Sequence, residues 1–347
     1  VAGDAGGARA LIPVIRKLRA HNESNVVCRA YAAALPIWEK EGFAPEAISS
    51  DVSFFERVLL GTSVNETRWE SEIILKAKEE KIRTVSVLDF WINYRERFLN
   101  GKNEFVLPDV IAVMDNHAKK DMLALRFPDG CLRVTGTPAL EELEKYQDPA
   151  VSDKAAEQLA EHLDLPSKSK KVLYVSQPLT ELNAHRLGFT EQEAMADFSQ
   201  ALYELTMATG TWVSAIIKVH PRDNARAYES LPRPNSYLTW RKIREEMEPR
   251  VVVAGCDVIV GMNSMLLLEA CCMGKRVLSY QPNLKVTDPL PSNQWGASLG
   301  ITKKEDLTPA LQSLLDGKWQ PKTVPTDFRN SSDRILDLLL LKEEAYV

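Results

Sequence analysis

Chemistry in this chain is concentrated where apolar, β-type runs end. Lys218-Val219-His220-Pro221-Arg222 follows the run WVSAII. Three potential hydrogen-bond donors in five residues suit a phosphate, and a solvated basic turn is the plain alternative. Pro221 stops the run from continuing and aims His220 outward rather than into a sheet. Gly261-Met262-Asn263-Ser264-Met265 follows DVIV and opens a helical pattern through Ala270 that ends at Gly274. A glycine, an Asn-Ser cap and a helix start make a small anion site with N–H and hydroxyl donors. Glu269 stands about one and a half turns into that helix. It could take the two hydroxyls of a ribose, or be an ordinary exposed helix glutamate. Ser176 and Gln177 stand directly after another such run, VLYV.

Candidate bases lie in the first half. Asp89 directly follows the β-branched run Thr84 to Leu88, so its carboxylate stands at the carboxyl end of a strand. It could deprotonate a hydroxyl or be a structural carboxylate held by Arg95 or Arg97. The neighbouring Trp91, Tyr94 and Phe98 could line an acceptor pocket, although aromatic residues at helical spacing more often form core. Glu66, in Gly61-Thr62-Ser63-Val64-Asn65-Glu66, is a second candidate base or an early-helix acid that offsets the helix dipole. Asp4 is the third. It sits in Gly3-Asp4-Ala5-Gly6-Gly7-Ala8, where Gly6 and Gly7 let backbone N–H groups approach a ligand ahead of a helix from Arg9 to Leu18. The pattern is not G-x-G-x-x-G, so a dinucleotide role has little support. A sixth loop, TDPLPSNQW from Thr287 to Trp295, could close over a ligand.

These loops need elements to position them. The runs NVVCRAY, RVLLGTS, TVSVLDF, VIAVMD and LRVTGT alternate with helical patterns such as ESEIILKAKEEK. That alternation predicts one doubly wound parallel sheet. A second series, KKVLYVSQ, VSAIIKVHP, VVVAGCDVIVGMN and KRVLSYQ, predicts another. The polar segment from about Pro138 to Lys171 joins them, which places a boundary near 150. The expected architecture is α/β: two doubly wound domains, residues 1–150 and 151–347. The two would face each other across a cleft, as open α/β sheets bind ligands at their strand carboxyl ends. SSDRILDLLLLKEEAYV reads as a terminal helix, with the option of packing back on the first domain.

Length and composition narrow the classes. A chain of 347 residues suits two domains. With 45% hydrophobic and 26% charged residues it is neither disordered nor fibrous. A net charge of −5 without basic runs argues against nucleic acid as a partner. The five cysteines contain no C-x-x-C pair, so reduced, mostly buried thiols are expected. No window reaches the roughly 18 apolar residues of a membrane span, and the start lacks the order of a signal peptide. The expected location is the cytoplasm, with association at the inner membrane face left open.

The series DVIVGMNSMLLLEACCMGKRVLSY resembles the nucleotide-binding segment of GT-B glycosyltransferases and of the related UDP-N-acetylglucosamine 2-epimerases. GDAGGARALIPVIRKL is similar to their first loop and helix, the stretch from Thr62 through Arg97 to their middle N-terminal strands, and LRVTGTPALEEL to their hinge. The resemblance implies the GT-B fold over nearly the whole chain, with residues 1–150 as the acceptor-side domain, 151–347 as the nucleotide-donor domain, and Ser176 and Gln177 among the residues that hold the nucleotide. The epimerases' own signatures are absent. Leu-Asp89-Phe-Trp stands in place of an acidic residue in an Ala-Gly-Leu-Arg context, and Asn263-Ser264-Met265 replaces Ser-Gly-Gly. Ser176-Gln177-Pro178-Leu179-Thr180-Glu181 replaces His-Arg-x-Glu-Asn. The Lys218-x-His220-Pro221 element followed by a serine-containing loop resembles bacterial capsule and cell-wall transferases instead. That likeness implies His220 and Ser264 at the phosphate of a CMP- or CDP-linked donor. The resulting expectation is a metal-independent, cofactor-free, inverting glycosyltransferase that uses a CMP/CDP- or UDP-linked donor and a glycan or lipid-linked glycan acceptor. The alternatives are a 2-epimerase or nucleotide-sugar hydrolase, and a non-catalytic binding scaffold.

Overall fold

The computed structural model describes residues 1–20, 25–64, 67–180, 184–220, 231, 234–244, 246–324 and 328–340. The chain divides into two compact units: Val1–Glu142 with the returning segment Thr326–Val347, and Leu143–Pro325. The divide therefore falls at 142/143 rather than near 150, and the last helix belongs with the first unit.

In the first unit, β1 (Arg57–Leu60), β2 (Arg83–Val87), β3 (Val110–Val113) and β4 (Leu132–Val134) form a parallel sheet in that order. The central β3 is buried at every residue, the pattern of a strand covered on both faces. NVVCRAY, expected as a full strand, makes only single bridges, Ala30 to Ala2 and Arg29 to Glu46. Its neighbour is too short to sustain a ladder. The segment Val1–Ala2 lies between it and β1: the Ala2 N–H donates to the Arg29 carbonyl, and the Gly61 N–H to that of Val1. Strand order reverses between Ala2 and β1, which makes this edge the switch point of the sheet.

The helix Ala5–Ala20 starts at Ala5 rather than Arg9. Its first turn contains Gly6 and Gly7 because a larger residue has no room there. A Cβ on Gly7 would lie 3.3 Å from the Cα of Gly61, and a Cβ on Gly61 would lie 3.1 Å from the Cα of Gly7. The terminal helix Ser331–Leu340 adds Ile335, Leu336, Leu338 and Leu339 to the core formed by Leu11, Val14, Ile15, Val85 and Val87. Arg83 donates to the Leu338 carbonyl at 3.0 Å, and Arg334 to that of Thr135 at 2.8 Å.

The second unit is a six-stranded parallel sheet of order β10-β9-β8-β5-β6-β7. Its strands are β5 (Lys170–Val175), β6 (Val213–Lys218), β7 (Leu238–Ile243), β8 (Val258–Gly261), β9 (Arg276–Tyr280) and β10 (Leu299–Ile301). From β5 the chain builds outward through β6 and β7, then returns to build the other way through β8, β9 and β10. The switch point therefore lies between β5 and β8. The edge strands β7 and β10 lie outside the β-type runs read from the sequence. VVVA, the start of the run VVVAGCDVIVGMN expected as strand, is instead part of the helix Pro249–Ala254. Proline at its first position and Glu248, which accepts from the Val251 N–H at 3.0 Å, override the β-branched composition.

Candidate functional site

Each sheet presents its candidate groups at the carboxyl edge, beside its own switch point. In the second unit, Ser176 and Gln177 leave β5 while Asn263 and Ser264 follow β8. Gln177 and Asn263 interlock: the Gln177 side-chain amide donates to Asn263 Oδ1 at 2.9 Å, and its Oε1 accepts from the Asn263 backbone N–H at 2.9 Å. Ser176 Oγ accepts from the His220 N–H at 2.7 Å. The loops after β5, β6 and β8 are thus tied to one another. Gly261 fits because any Cβ there would lie 2.8 Å from Leu267 Cδ1 and 3.1 Å from the Val175 carbonyl oxygen.

Ser264 caps the helix Met265–Cys272 by accepting from the Leu266 N–H at 3.2 Å. The amides of a first helical turn have no acceptor within the helix and favour an anion. Met265 is the first residue of that turn and is half-buried. Glu269 is not an exposed helix glutamate. It is 8% exposed and meets Arg250 in a two-pronged ion pair, Nε to Oε2 at 3.0 Å and Nη2 to Oε1 at 3.3 Å. A carboxylate so engaged still has lone pairs for two hydroxyls. Lys218 is directed elsewhere: its ammonium donates to the carbonyl of Arg244, beyond β7. Pro221 and Arg222 lie outside the described residues.

The sixth loop is ordered around Asp288, whose carboxylate accepts from Gln281 and Asn293 side chains at 2.9 and 2.7 Å and from the Leu290 N–H at 2.9 Å. Part of it, Pro291–Trp295, is a short helix.

In the first unit, Asp89 is the carboxylate held by Arg97. The two form an ion pair, with Arg97 7% and Asp89 11% exposed, and Thr62 Oγ1 donates to the same oxygen, Oδ1, at 3.2 Å. Arg97 also donates to the Thr62 carbonyl at 2.7 Å. The other oxygen, Oδ2, lies so close to Gly6 that a Cβ there would sit 1.8 Å away. Asp4 precedes the helix Ala5–Ala20, and its Oδ2 accepts from the Val64 N–H at 2.7 Å. Asp4 and Asp89 therefore flank one switch point, while Glu66 lies outside the described residues. Trp91, Tyr94 and Phe98 are core, 6%, 6% and 2% exposed. Trp91 donates to Asp115 at 2.8 Å, Phe98 packs edge-on against Phe127, and burial pushes the Tyr94 phenol well above its ordinary range.

A further carboxylate, not among the candidates read from the sequence, is linked to Asp4 through Ser63. Glu70 is 6% exposed and accepts from Tyr31 Oη and Ser63 Oγ, each at 2.5 Å. The only signal was an acid in the first turn of a helix, and such acids are usually solvated. Among the described residues, no group of three or more His, Cys, Asp or Glu is placed to hold a metal ion, and no helix is long and apolar enough to cross a membrane. The cysteines are free: Cys28, Cys256, Cys271 and Cys272 are buried, and Cys131 is half-buried.

No family model and no curated protein matches the sequence. Solved structures match nearly end to end. The UDP-GlcNAc 2-epimerase of Neisseria meningitidis, bound to UDP-GlcNAc, is 15% identical with a TM-score of 0.68, covering 98% of each chain. MurG of Acinetobacter baumannii is 12% identical with a TM-score of 0.60, covering 97% of each. Anabaena HepE in complex with UDP is 10% identical with a TM-score of 0.56, covering 97% of this chain and 94% of its own. Two parallel-sheet, Rossmann-like units that superpose on these structures over almost their full length give this chain the GT-B fold.

Proposed function

We propose that the chain is a glycosyltransferase that binds a nucleotide-activated donor on its second unit and a glycan or lipid-linked glycan acceptor on its first, without a resident metal or cofactor. The observation that carries this reading is the interlocked set of loops at the β5/β8 switch point. Gln177, Asn263, Ser176 and the His220 backbone are fixed by one another, beside the Ser264-capped start of the helix Met265–Cys272. A preorganised donor set of this kind stabilises charge on a departing phosphate. His220 and Ser264 are assigned to that phosphate, with Arg222 as a further donor, and Glu269, steadied by Arg250, to a ribose. Gly6 and Gly7 offer first-turn amides on the other unit. Asp4 is the favoured base among the described residues, because Asp89 spends one oxygen on Arg97 and Thr62 and presses the other on Gly6. Capsule or cell-wall polymer synthesis at the inner face of a bacterial membrane is the setting we infer from the Lys218-x-His220-Pro221 element.

A 2-epimerase acting on a UDP-sugar is the second reading, favoured by the similarity to several structures named as UDP-GlcNAc 2-epimerases. The test is a thermal-shift screen with CMP, CDP, UDP, GDP and dTDP, followed by product analysis of the preferred nucleotide's sugars with and without acceptor. Transfer that depends on acceptor, with His220→Ala and Ser264→Ala each slowing turnover about 10²- to 10³-fold, is expected. An altered nucleotide sugar formed from donor alone would replace the transferase reading with the epimerase one. No stabilisation by any nucleotide would leave a binding scaffold.

A further inference from the structure

We propose that Glu70 is a positioning residue: through Ser63 and Tyr31 it sets the geometry of the two loops at the first sheet's switch point, and with it the stance of Asp4. This rests on the reading of Asp4 as the acceptor-side base.

An ionised carboxylate accepts only, and Glu70 is satisfied by two hydroxyls that must both donate to it, Tyr31 Oη at Oε2 and Ser63 Oγ at Oε1. It stands in the first turn of the helix Trp69–Glu79, where the helix dipole favours negative charge. Because Ser63 commits its proton to Glu70, its oxygen faces the Asp4 N–H and accepts from it at 3.1 Å. The Asp4 carboxylate in turn accepts from the Val64 N–H. On the other side, the Tyr31 ring lies across Gly3, where a Cβ would fall 2.2 Å from its Cζ. One buried carboxylate thus fixes hydroxyl directions in two segments, and those directions fix the backbone on either side of Asp4. A glutamine of the same shape breaks this logic. Its NH2 must face one of the two hydroxyls, so that hydroxyl has to accept where it now donates.

The experiment compares Glu70→Gln, Ser63→Ala, Ser63→Thr and Tyr31→Phe with the wild-type protein. It reads kcat and KM for transfer, nucleotide affinity, and hydrogen–deuterium exchange of peptides covering 2–8 and 60–64. Glu70→Gln and Ser63→Ala are expected to lower kcat about tenfold or more and to speed exchange in those two peptides selectively. Nucleotide affinity should stay within about twofold, because the nucleotide site lies on the other unit. Ser63→Thr, which keeps the hydroxyl, restores both readouts, and Tyr31→Phe gives a smaller effect. A folded Glu70→Gln protein with unchanged kcat, or exchange that rises evenly through the first unit, would overturn the proposal. If wild-type protein neither binds nucleotide nor turns over, the functional reading fails by itself. Exchange then decides: selective loosening supports the positioning role, and its absence ends it.

Discussion

Gly6→Ala puts the contact between helix Ala5–Ala20 and Asp89 to a quantitative test. The new Cβ would lie 1.8 Å from Asp89 Oδ2, well inside contact distance, so the carboxylate must swing away. Moving it separates a pair in which Arg97 is 7% and Asp89 11% exposed, and removes the acceptor of the Thr62 hydroxyl. Disrupting a buried pair on one side costs about 3–5 kcal/mol, and alanine returns about 0.5–1 kcal/mol over glycine in a helix. The expected net loss is about 2–4 kcal/mol. The decisive measurement is the cycle with Asp89→Ala, by urea unfolding followed by far-UV ellipticity. Once the carboxylate is absent, Gly6→Ala should be stabilising by about 0.5–1 kcal/mol, a coupling of about 3–5 kcal/mol between the two sites. Additive losses, or a Gly6→Ala cost under about 0.5 kcal/mol in the wild-type background, would refute the reasoning and release Asp89 to act as the base.

Other outcomes follow from the same geometry. Gln177→Ala strands the Asn263 N–H and amide oxygen and should cost about 1–3 kcal/mol in unfolding of the second unit, with weaker nucleotide stabilisation in a melting assay. Glu269→Ala removes the carboxylate that Arg250 grips with two nitrogens and should cost about 2–4 kcal/mol, whereas Arg250→Met with Glu269→Leu should recover most of that loss in denaturant titrations. Burial raises the Cys256 and Cys271 thiols to about 12 and that of Cys272 higher still, so little thiolate exists at pH 8. Burial raises Cys28 and Cys131 too, but Cys131 is the one cysteine not fully buried, so a disulfide-exchange reagent should titrate about one thiol in native protein and all five after unfolding.

The alternation of β-type runs with helices was legible because buried parallel strands are nearly unbroken apolar segments. TVSVLDF, VIAVMD and KKVLYVSQ coincide with β2, β3 and β5. Where the reading slipped, tertiary context outweighed composition. VVVA is β-branched yet helical, because Pro249 and Glu248 set a helix start just before it. Gly6 and Gly7 look like loop residues, yet they lie in the helix, where Gly7 lets it approach Gly61 closely and Gly6 leaves room for the Asp89 carboxylate. LTWRKI was passed over because an edge strand is only partly covered, and its burial is correspondingly mixed. At the sites, the strand-end loops were visible as sequence, and Arg97 stood among the named partners for Asp89. Spacing alone could not choose between that pairing and catalysis. Glu70 was hidden because Tyr31 and Ser63 come to it from other segments, and no local pattern encodes a contact 39 residues away.

The helix Ser331–Leu340 completes the core of the first unit although it lies beyond all of the second. During synthesis, the ribosome releases residues 143–325 as an uninterrupted stretch that can close its sheet while translation continues. The earlier-made unit must wait, its Leu11, Val14 and Val85 surface uncovered, until the tail emerges. The usual order of maturation is thereby inverted: the half translated second is the half that can finish first.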